Sequence, residues 1–476
     1  MIKDPILDRF HHLASRRPEA PLFVAAHRRS TAEEVHRLSV QITQAVRAAG
    51  IERESLVGLA VGNGPGFAAG YLGLRSAGCR VLLLDTRTPD DERKRIHTTL
   101  GSAGELLSND GWPRAAHDIE VRAAACGESA PSLDDRISTV RLTSGSSGMP
   151  RGIAHTSEAL LADDRALRAT MGLTDERVLA SVPLSHAYGF ASIFLPCITL
   201  GWTVSTPEGL SPFAAIEATH LGEVTFLPTV PAYLQALLKM AEPPPLPESV
   251  RLVITAGAPL RPETADAFFR TYRRHVHVFY GASEVGGITY DRSGTAGLRA
   301  SLGAPVDGVT VRLEPVPGVE SSAGIVTVES PAAAEMHFPK PDTTLGNGRF
   351  RTSDLGRFEG GELRLLGRID SMINVRGKKV NPKEIESVLE AMPGVDESIV
   401  RGIPPAPGED ASIAALVAVS SRDVRAEQVK GWCANRLSAH KTPRIIRLVE
   451  TIPRTARGKV DRRQVEQLLK GNEPLT

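Results

Sequence analysis

After Thr31, apolar residues recur at helical spacing: Val35, Leu38, Ile42, Ala45, Val46 and Ala49 share one face until Gly50 ends the run. Thr31 and Glu34 stand three apart at its start, as in a capping box, where each side chain accepts a backbone N–H that the first turn leaves unpaired. Leu56 to Val61 is a short continuous apolar run, suited to a strand buried on both faces. A second helical stretch between Gly64 and Gly78 leads to another such run, Val81 to Leu84. Strand, helix and strand at this spacing predict parallel sheets covered by helices, because a parallel connection needs a crossover long enough to hold a helix.

The middle of the chain repeats the pattern, with strands expected at Val178 to Val182, Val224 to Leu227 and Leu252 to Thr255. From about Val309 to Leu366 the runs shorten (Val309 to Leu313, Gly324 to Glu329, Gly361 to Leu366), predicting a small β-rich subdomain. Beyond Arg368 a helix is expected from Pro382 to Ala391, stopped by Pro393-Gly394. Strands at Ser398 to Gly402 and Ile413 to Val419, a helix from about Arg425 to Ser438 and a strand at Ile445 to Val449 follow. Pro243 to Pro245 and Pro404 to Pro407 read as surface loops. The fold class expected is α/β: a large N-terminal domain of helix-covered sheets plus the β-rich subdomain, and a small mobile α+β C-terminal domain. The boundaries are drawn at 1–368, a hinge at 369–371, and 372–476.

Composition narrows this picture. At 476 residues the chain is long for one core, and 41% hydrophobic with 23% charged residues is globular composition. A net charge of +1 with both signs intermixed leaves no large basic field, so neither a nucleic acid nor a membrane surface is expected as partner. Cys79, Cys126, Cys197 and Cys433 lie far apart without metal-ligand spacing, which predicts reduced thiols rather than a zinc site or disulfides. Met1 to Pro5 opens no apolar leader and no stretch is long enough to span a bilayer, so a cytoplasmic enzyme is expected.

Six blocks carry chemistry. Thr143-Ser144-Gly145-Ser146-Ser147-Gly148, followed by Met149-Pro150-Arg151-Gly152, comes after a strand at Ser138 to Leu142. Glycines allow close backbone approach to phosphate, hydroxyls add neutral donors and Arg151 adds charge. No Gly-Lys-Ser/Thr follows, so this is not a Walker loop. A flexible linker has similar composition, but the apolar runs on both sides, resuming at Ile153-Ala154, argue for a loop between strands. The other blocks are Pro183 to Gly189 with His186, Tyr280-Gly281-Ala282-Ser283-Glu284 preceded by Ala256-Gly257-Ala258-Pro259, and Arg351 to Gly356 with Asp354. The last two stretches are Gly367-Arg368-Ile369-Asp370 with its sequel to Glu386, and Pro453 to Arg462 with Lys459. Taken singly, each has a plain reading: a loop histidine, a helix cap, a turn aspartate, a solvated basic turn.

Their order along the chain, from about Pro18 to Arg463, resembles the adenylate-forming superfamily of acyl-CoA synthetases, luciferases and peptide-synthetase adenylation domains, above all its AMP-forming acyl- and aryl-CoA ligases. The resemblance implies ATP, Mg²⁺ and CoA as cosubstrates and a small carboxylic acid as substrate. It makes Lys459, Glu284 and His186 the catalytic group, with Glu284 on the metal. It gives ATP to Thr143, Ser144, Gly145, Ser146, Ser147, Gly148, Arg151, Gly257, Ala258, Pro259, Tyr280, Gly281, Ala282, Ser283, Asp354 and Arg368. Asp354 would take the ribose hydroxyls, as an acceptor-only carboxylate can, and Asp370 is the hinge. By analogy of position His186, Tyr188, Phe190, Thr255, Ala256 and Gly287 line the acid pocket, with Gly257 and Ala282 beside them. The chain departs from the family pattern at Arg151 and Ser283, where Lys and Thr are usual, and carries Asn374 where some relatives have a lysine that aids thioester formation. The alternatives to CoA ligation are a stand-alone enzyme that loads a carrier-protein phosphopantetheine and a non-catalytic ligand-binding member.

Overall fold

The computed structural model describes residues 4–123, 133–143, 150–209, 211–317, 319–375, 378–403, 412–420, 424–454 and 460–471. The chain divides into two compact units. The first comprises residues 1–311, 327–351 and 359–363, and the second 312–326, 352–358 and 364–476.

The first unit holds two large sheets. In the seven-stranded sheet the order is Met336–Phe338, Arg151–Thr156, Ile137–Thr143, Arg80–Leu83, Leu56–Val61, Gly104–Ser108, Glu120–Ala123. Its four middle strands run parallel and the flanking pairs are antiparallel. The nine-stranded sheet runs Ala304–Pro305, Gly286–Tyr290, Val276–Ala282, Leu252–Thr255, Phe226–Thr229, Arg177–Leu179, Thr203–Ser205, Pro21–Ala25, Arg28–Thr31. The apolar runs read as doubly buried strands are so: every residue of Leu56–Val61 and of Arg80–Leu83 is buried.

One hydrophobic core takes residues from both sheets, among them Val57, Leu59, Val81, Val178, Val204 and Ile254. The helix Pro65–Ala77 belongs to it and is buried on every side except at Ser76, as a helix enclosed by other elements must be. Its ends follow from glycine: Gly64 precedes it, and Gly78 at φ +87° caps it in the left-handed conformation. The helix Ala32–Ala48 starts with the expected capping box. Thr31 Oγ1 accepts from Glu34 N at 3.3 Å, and Glu34 Oε2 accepts from Thr31 N at 2.9 Å.

In the second unit, a three-stranded sheet of Val395–Ile403, Ser412–Val419 and Ile445–Val449 is buried on both faces. Ile413, Ala415 and Val417 pack with Ile385 and Leu389 of the helix Pro382–Glu390 and Val429 and Cys433 of the helix Ala426–Ala434. Ala414, Leu416 and Ala418 face the other way, onto Val465 and Leu469 of the helix Arg462–Lys470. Alternation with period two along one strand therefore feeds two small cores. Among the described residues, no helix is long and apolar enough to cross a membrane.

Candidate active site

The carboxyl ends of parallel strands are where open α/β sheets leave a crevice for ligands. The sequence-predicted residues of the first unit gather at such ends. Ile137–Thr143 and Arg151–Thr156 form an antiparallel hairpin in which Thr143 pairs with Arg151. Ser144 to Gly148 lie outside the described residues. Arg151 is ion-paired with Asp342.

His186 is the N-cap of the single turn Ala187–Gly189, after the strand Arg177–Leu179. Asn63 holds this segment from the neighbouring sheet, donating from Nδ2 to Val182 O at 3.1 Å and accepting Leu184 N–H at Oδ1 at 2.9 Å. Gly189 is required there, because a Cβ would lie 2.2 Å from Pro183 O. His186 Nε2 lies 3.1 Å from Oδ2 of Asp85, which stands just beyond the strand Arg80–Leu83 of the other sheet. Burial pushes the Asp85 carboxyl up, but hydrogen bonds from His186 and Arg87 outweigh it and hold the group well below the carboxylate range. Asp85 is thus ionised and acceptor-only, so Nε2 carries the proton of this contact. Among the described residues, Nδ1 of His186 is left for another partner.

Tyr188 reaches across two strand ends: its hydroxyl accepts Thr229 N–H at 3.1 Å and lies 3.5 Å from Ile254 O. Phe190, expected on the pocket wall, is fully buried instead. Its ring packs on Phe194 at 4.8 Å and Tyr71 at 5.5 Å, with the Arg141 guanidinium 5.1 Å from its centre, so it is a core residue. Thr255 and Ala256 are buried at the end of Leu252–Thr255, and Thr255 Oγ1 has no hydrogen-bond partner among the described residues. Gly257, Ala258 and Pro259 are exposed, with Gly257 at φ +83°.

Tyr280 to Glu284 run from the strand Val276–Ala282 into a tight turn closed by Val285 N donating to Ala282 O at 3.2 Å. Tyr280 pairs with Thr289, and Gly281 with Gly287. Gly286, at φ +71°, permits the return, and Gly287 N donates to buried Asp163 Oδ1 at 2.9 Å. Burial pushes the Asp163 carboxyl up to about 6, against the opposing pull of that N–H and of Arg141. Asp163 therefore pins the turn that carries Glu284. Glu284 Oε1 lies 3.7 Å from Nε2 of His337, a buried residue of the seven-stranded sheet's edge. A carboxylate such as that of Glu284 suits Mg²⁺, a hard ion that keeps water and takes its remaining oxygens from a substrate's phosphates.

In the second unit, Asp354 and Arg368 meet: Arg368 Nε lies 3.4 Å from Asp354 Oδ1 and donates to Ser353 Oγ at 3.1 Å. Asp370 sits in the 3₁₀ turn Ile369–Ser371. Lys459 lies outside the described residues; Arg454 and Val460, on either side of it, form a β-bridge.

Sequence reasoning missed Asn63, Asp85, Asp163, His337 and Asp342. Asp85 had a signal, a carboxylate directly after the buried run Val81 to Leu84. The others had none, since they act on partners remote in sequence.

The chain matches the family model for AMP-binding enzymes over residues 10–336 and that for their C-terminal domain over 384–459. It is 26% identical to a feruloyl-CoA synthase of Amycolatopsis over 469 residues, covering 92% of this chain and 93% of that protein. With the 2-succinylbenzoate–CoA ligase of Bacillus velezensis it shares 28% identity over 417 residues, covering 83% and 84%. Its fold matches o-succinylbenzoate CoA synthetase from Bacillus subtilis, solved with an acyl-adenylate intermediate (TM-score 0.82, 22% identity, 98% and 99% coverage). The same synthetase has been solved with ATP and a magnesium ion (TM-score 0.81, 22% identity, 96% and 99% coverage). With the first family model covering well over half its length, the chain belongs to the AMP-binding enzyme family.

Proposed function

We propose that this enzyme activates a carboxylic acid with ATP and passes the acyl group to the thiol of CoA. In the first step a carboxylate oxygen attacks the α-phosphorus of ATP, the bond to the β-phosphate breaks, and acyl-adenylate and pyrophosphate form. In the second the CoA thiol attacks the acyl carbon, AMP leaves, and the thiol proton is released. The observation that carries the reading is a pair of histidine–carboxylate contacts, His186–Asp85 and His337–Glu284, each joining one sheet to the other in the first unit. They support an acid-binding side and a phosphate-binding side at the same strand ends.

No protein nucleophile is needed, so positioning and charge neutralisation do the catalytic work. His186 orients the acid, within a pocket formed by Tyr188, Thr255, Ala256, Gly257, Ala282 and Gly287. Tyr280 stacks on adenine beside Gly257, Ala258 and Pro259, and Ser283 meets the α-phosphate. Thr143 to Gly148 and Arg151 receive the outer phosphates, and Asp354 accepts the ribose hydroxyls with Arg368 beside it. Glu284 holds Mg²⁺, which supplies charge neutralisation on the phosphates. Lys459 bridges the attacking carboxylate and the α-phosphate. At about 4 Å and an effective dielectric near 20, one such charge pair is worth roughly 4 kcal/mol, on the order of a thousandfold in rate. We place the hinge at Asp370, between domains at 1–368 and 372–476. We set the enzyme in the cytoplasm, where ATP and CoA are supplied.

The test is ATP–pyrophosphate exchange with short, long and aromatic acids, followed by hydroxylamine trapping with and without CoA. Acid-dependent exchange, with thioester formed only when CoA is added, is expected. Absence of exchange with every acid would overturn the reading.

A further inference from the structure

Arg151 already has a carboxylate partner, Asp342. That partner is itself held in place: Asp342 Oδ1 accepts Thr344 N–H at 2.9 Å and the Thr344 hydroxyl at 2.5 Å. Its other oxygen, Oδ2, faces Arg151 and lies 3.2 Å from Nδ1 of His337. His337 is buried on Met336–Phe338, whose strand neighbour is the one that Arg151 opens, with His337 opposite Ile153. The same ring approaches Glu284 on its far side. Burial raises the Asp342 carboxyl, but hydrogen bonds from Thr344 and Arg151 and the proximity of His337 outweigh it, so the group is an anion at any working pH.

A guanidinium fork satisfied by a carboxylate cannot offer the same N–H groups to a phosphate. Two anions crowded at one cation also repel each other. We propose that Asp342 is an internal stand-in for the outer phosphates of ATP: it holds Arg151 in the nucleotide-free protein and yields it when triphosphate binds. This rests on the reading of Arg151 as a phosphate-loop residue. Recapture of Arg151 by Asp342 then helps pyrophosphate to leave after adenylation. AMP, lacking the outer phosphates, does not compete. Asp342 is on this account a positioning residue that sets the affinity for ATP and pyrophosphate without touching the reacting atoms.

The test is calorimetric titration of the full chain and of Asp342→Asn, Arg151→Gln and the double variant. Each is titrated with Mg·ATP in the absence of acid, with pyrophosphate, and with AMP. Asp342→Asn is expected to tighten ATP and pyrophosphate by about two- to fivefold, the range of a partly exposed ion pair. AMP affinity should be unchanged in every variant, which also certifies a folded site. In the Arg151→Gln background the effect of Asp342→Asn should vanish. Unchanged or weaker ATP binding in Asp342→Asn, while Arg151→Gln weakens it, overturns the stand-in and spares the loop reading. An equal shift for ATP and AMP overturns the stand-in as well. Unaltered ATP affinity in Arg151→Gln overturns both.

Discussion

Asp85 governs His186 without belonging to any motif. Because Asp85 stays ionised, it fixes Nε2 as the donor and holds the ring in one orientation. Asp85→Asn keeps the shape and removes the charge, and a hydrogen bond to a charged group is worth about 1.5–3 kcal/mol. The KM for the acid should rise about tenfold or more with the affinity for AMP unchanged; equal losses for acid and nucleotide would make Asp85 merely structural. A second residue-scale prediction concerns stability. His155 is fully buried in the strand Arg151–Thr156, and burial, then the charge of Arg141, pushes its pKa well below 6.5, outweighing the opposing pull of the Ser283 backbone. The unfolded chain binds a proton there near pH 6.5 and the folded chain does not, so stability is full above that pH. It then falls by about 1.4 kcal/mol per unit on acidification. His155→Leu should flatten the fall of the thermal midpoint between pH 6.5 and 5, and an unchanged slope would show that another group carries it. The contacts of Asp85 and Asp342 were illegible in the sequence for one reason. Their importance lies in a partner 101 positions away for Asp85 and His186, or 191 for Arg151 and Asp342, and no local spacing encodes that.

At the scale of elements, sequence and structure agree where the signal is a periodic face with chemical ends. The capping box at Thr31 and the glycines bounding Pro65–Ala77 are such cases. They part where an apolar run continues beyond the hydrogen-bonded element. Val178 to Val182 reads as one strand, yet the strand is Arg177–Leu179. Val182 and Leu184 remain buried because the following turn packs into the same core, and burial rather than pairing is what an apolar run reports. Similarly, the helix expected to reach Ser438 ends at Ala434, and Arg436 N turns back to Cys433 O at 3.0 Å. The turn from Pro183 to Gly189 is sensitive to a single change. In Gly189→Ala the added Cβ must push Pro183 O away, since 2.2 Å is far inside contact distance. Overpacking of this kind costs about 1–3 kcal/mol. We expect a lower melting temperature together with a loss of acid activation larger than the loss of ATP binding, because His186 moves with the turn. A melting change with acid kinetics intact would show that the turn tolerates the shift.

For the whole molecule, the order of the blocks was legible because order survives without knowledge of contacts. The described blocks fall in two compact units: Arg151, His186, Tyr280 and Glu284 in the first, Asp354, Arg368 and the bridge Arg454–Val460 in the second. If Lys459 serves only adenylation, its loss must separate the two half-reactions. Lys459→Ala should lower adenylation about a thousandfold, the worth of one charge pair near the α-phosphate, and leave thioester formation from supplied acyl-adenylate nearly intact. Asp370→Pro should do the reverse. Proline fixes φ near −65° and removes an N–H within the turn Ile369–Ser371, so a hinge there could keep one backbone setting but not alternate between two. Adenylation measured by pyrophosphate release should persist, while transfer to CoA stops. The two variants then control each other. Equal damage to both half-reactions by Lys459→Ala removes the lysine from its role, and a normal thiol step in Asp370→Pro removes the hinge from position 370. A mixture of the two proteins should not restore the overall reaction if both steps occur within one chain, unless free acyl-adenylate passes from the Asp370→Pro protein to the Lys459→Ala protein. Complementation that disappears when the released adenylate is trapped with hydroxylamine would identify that exchange.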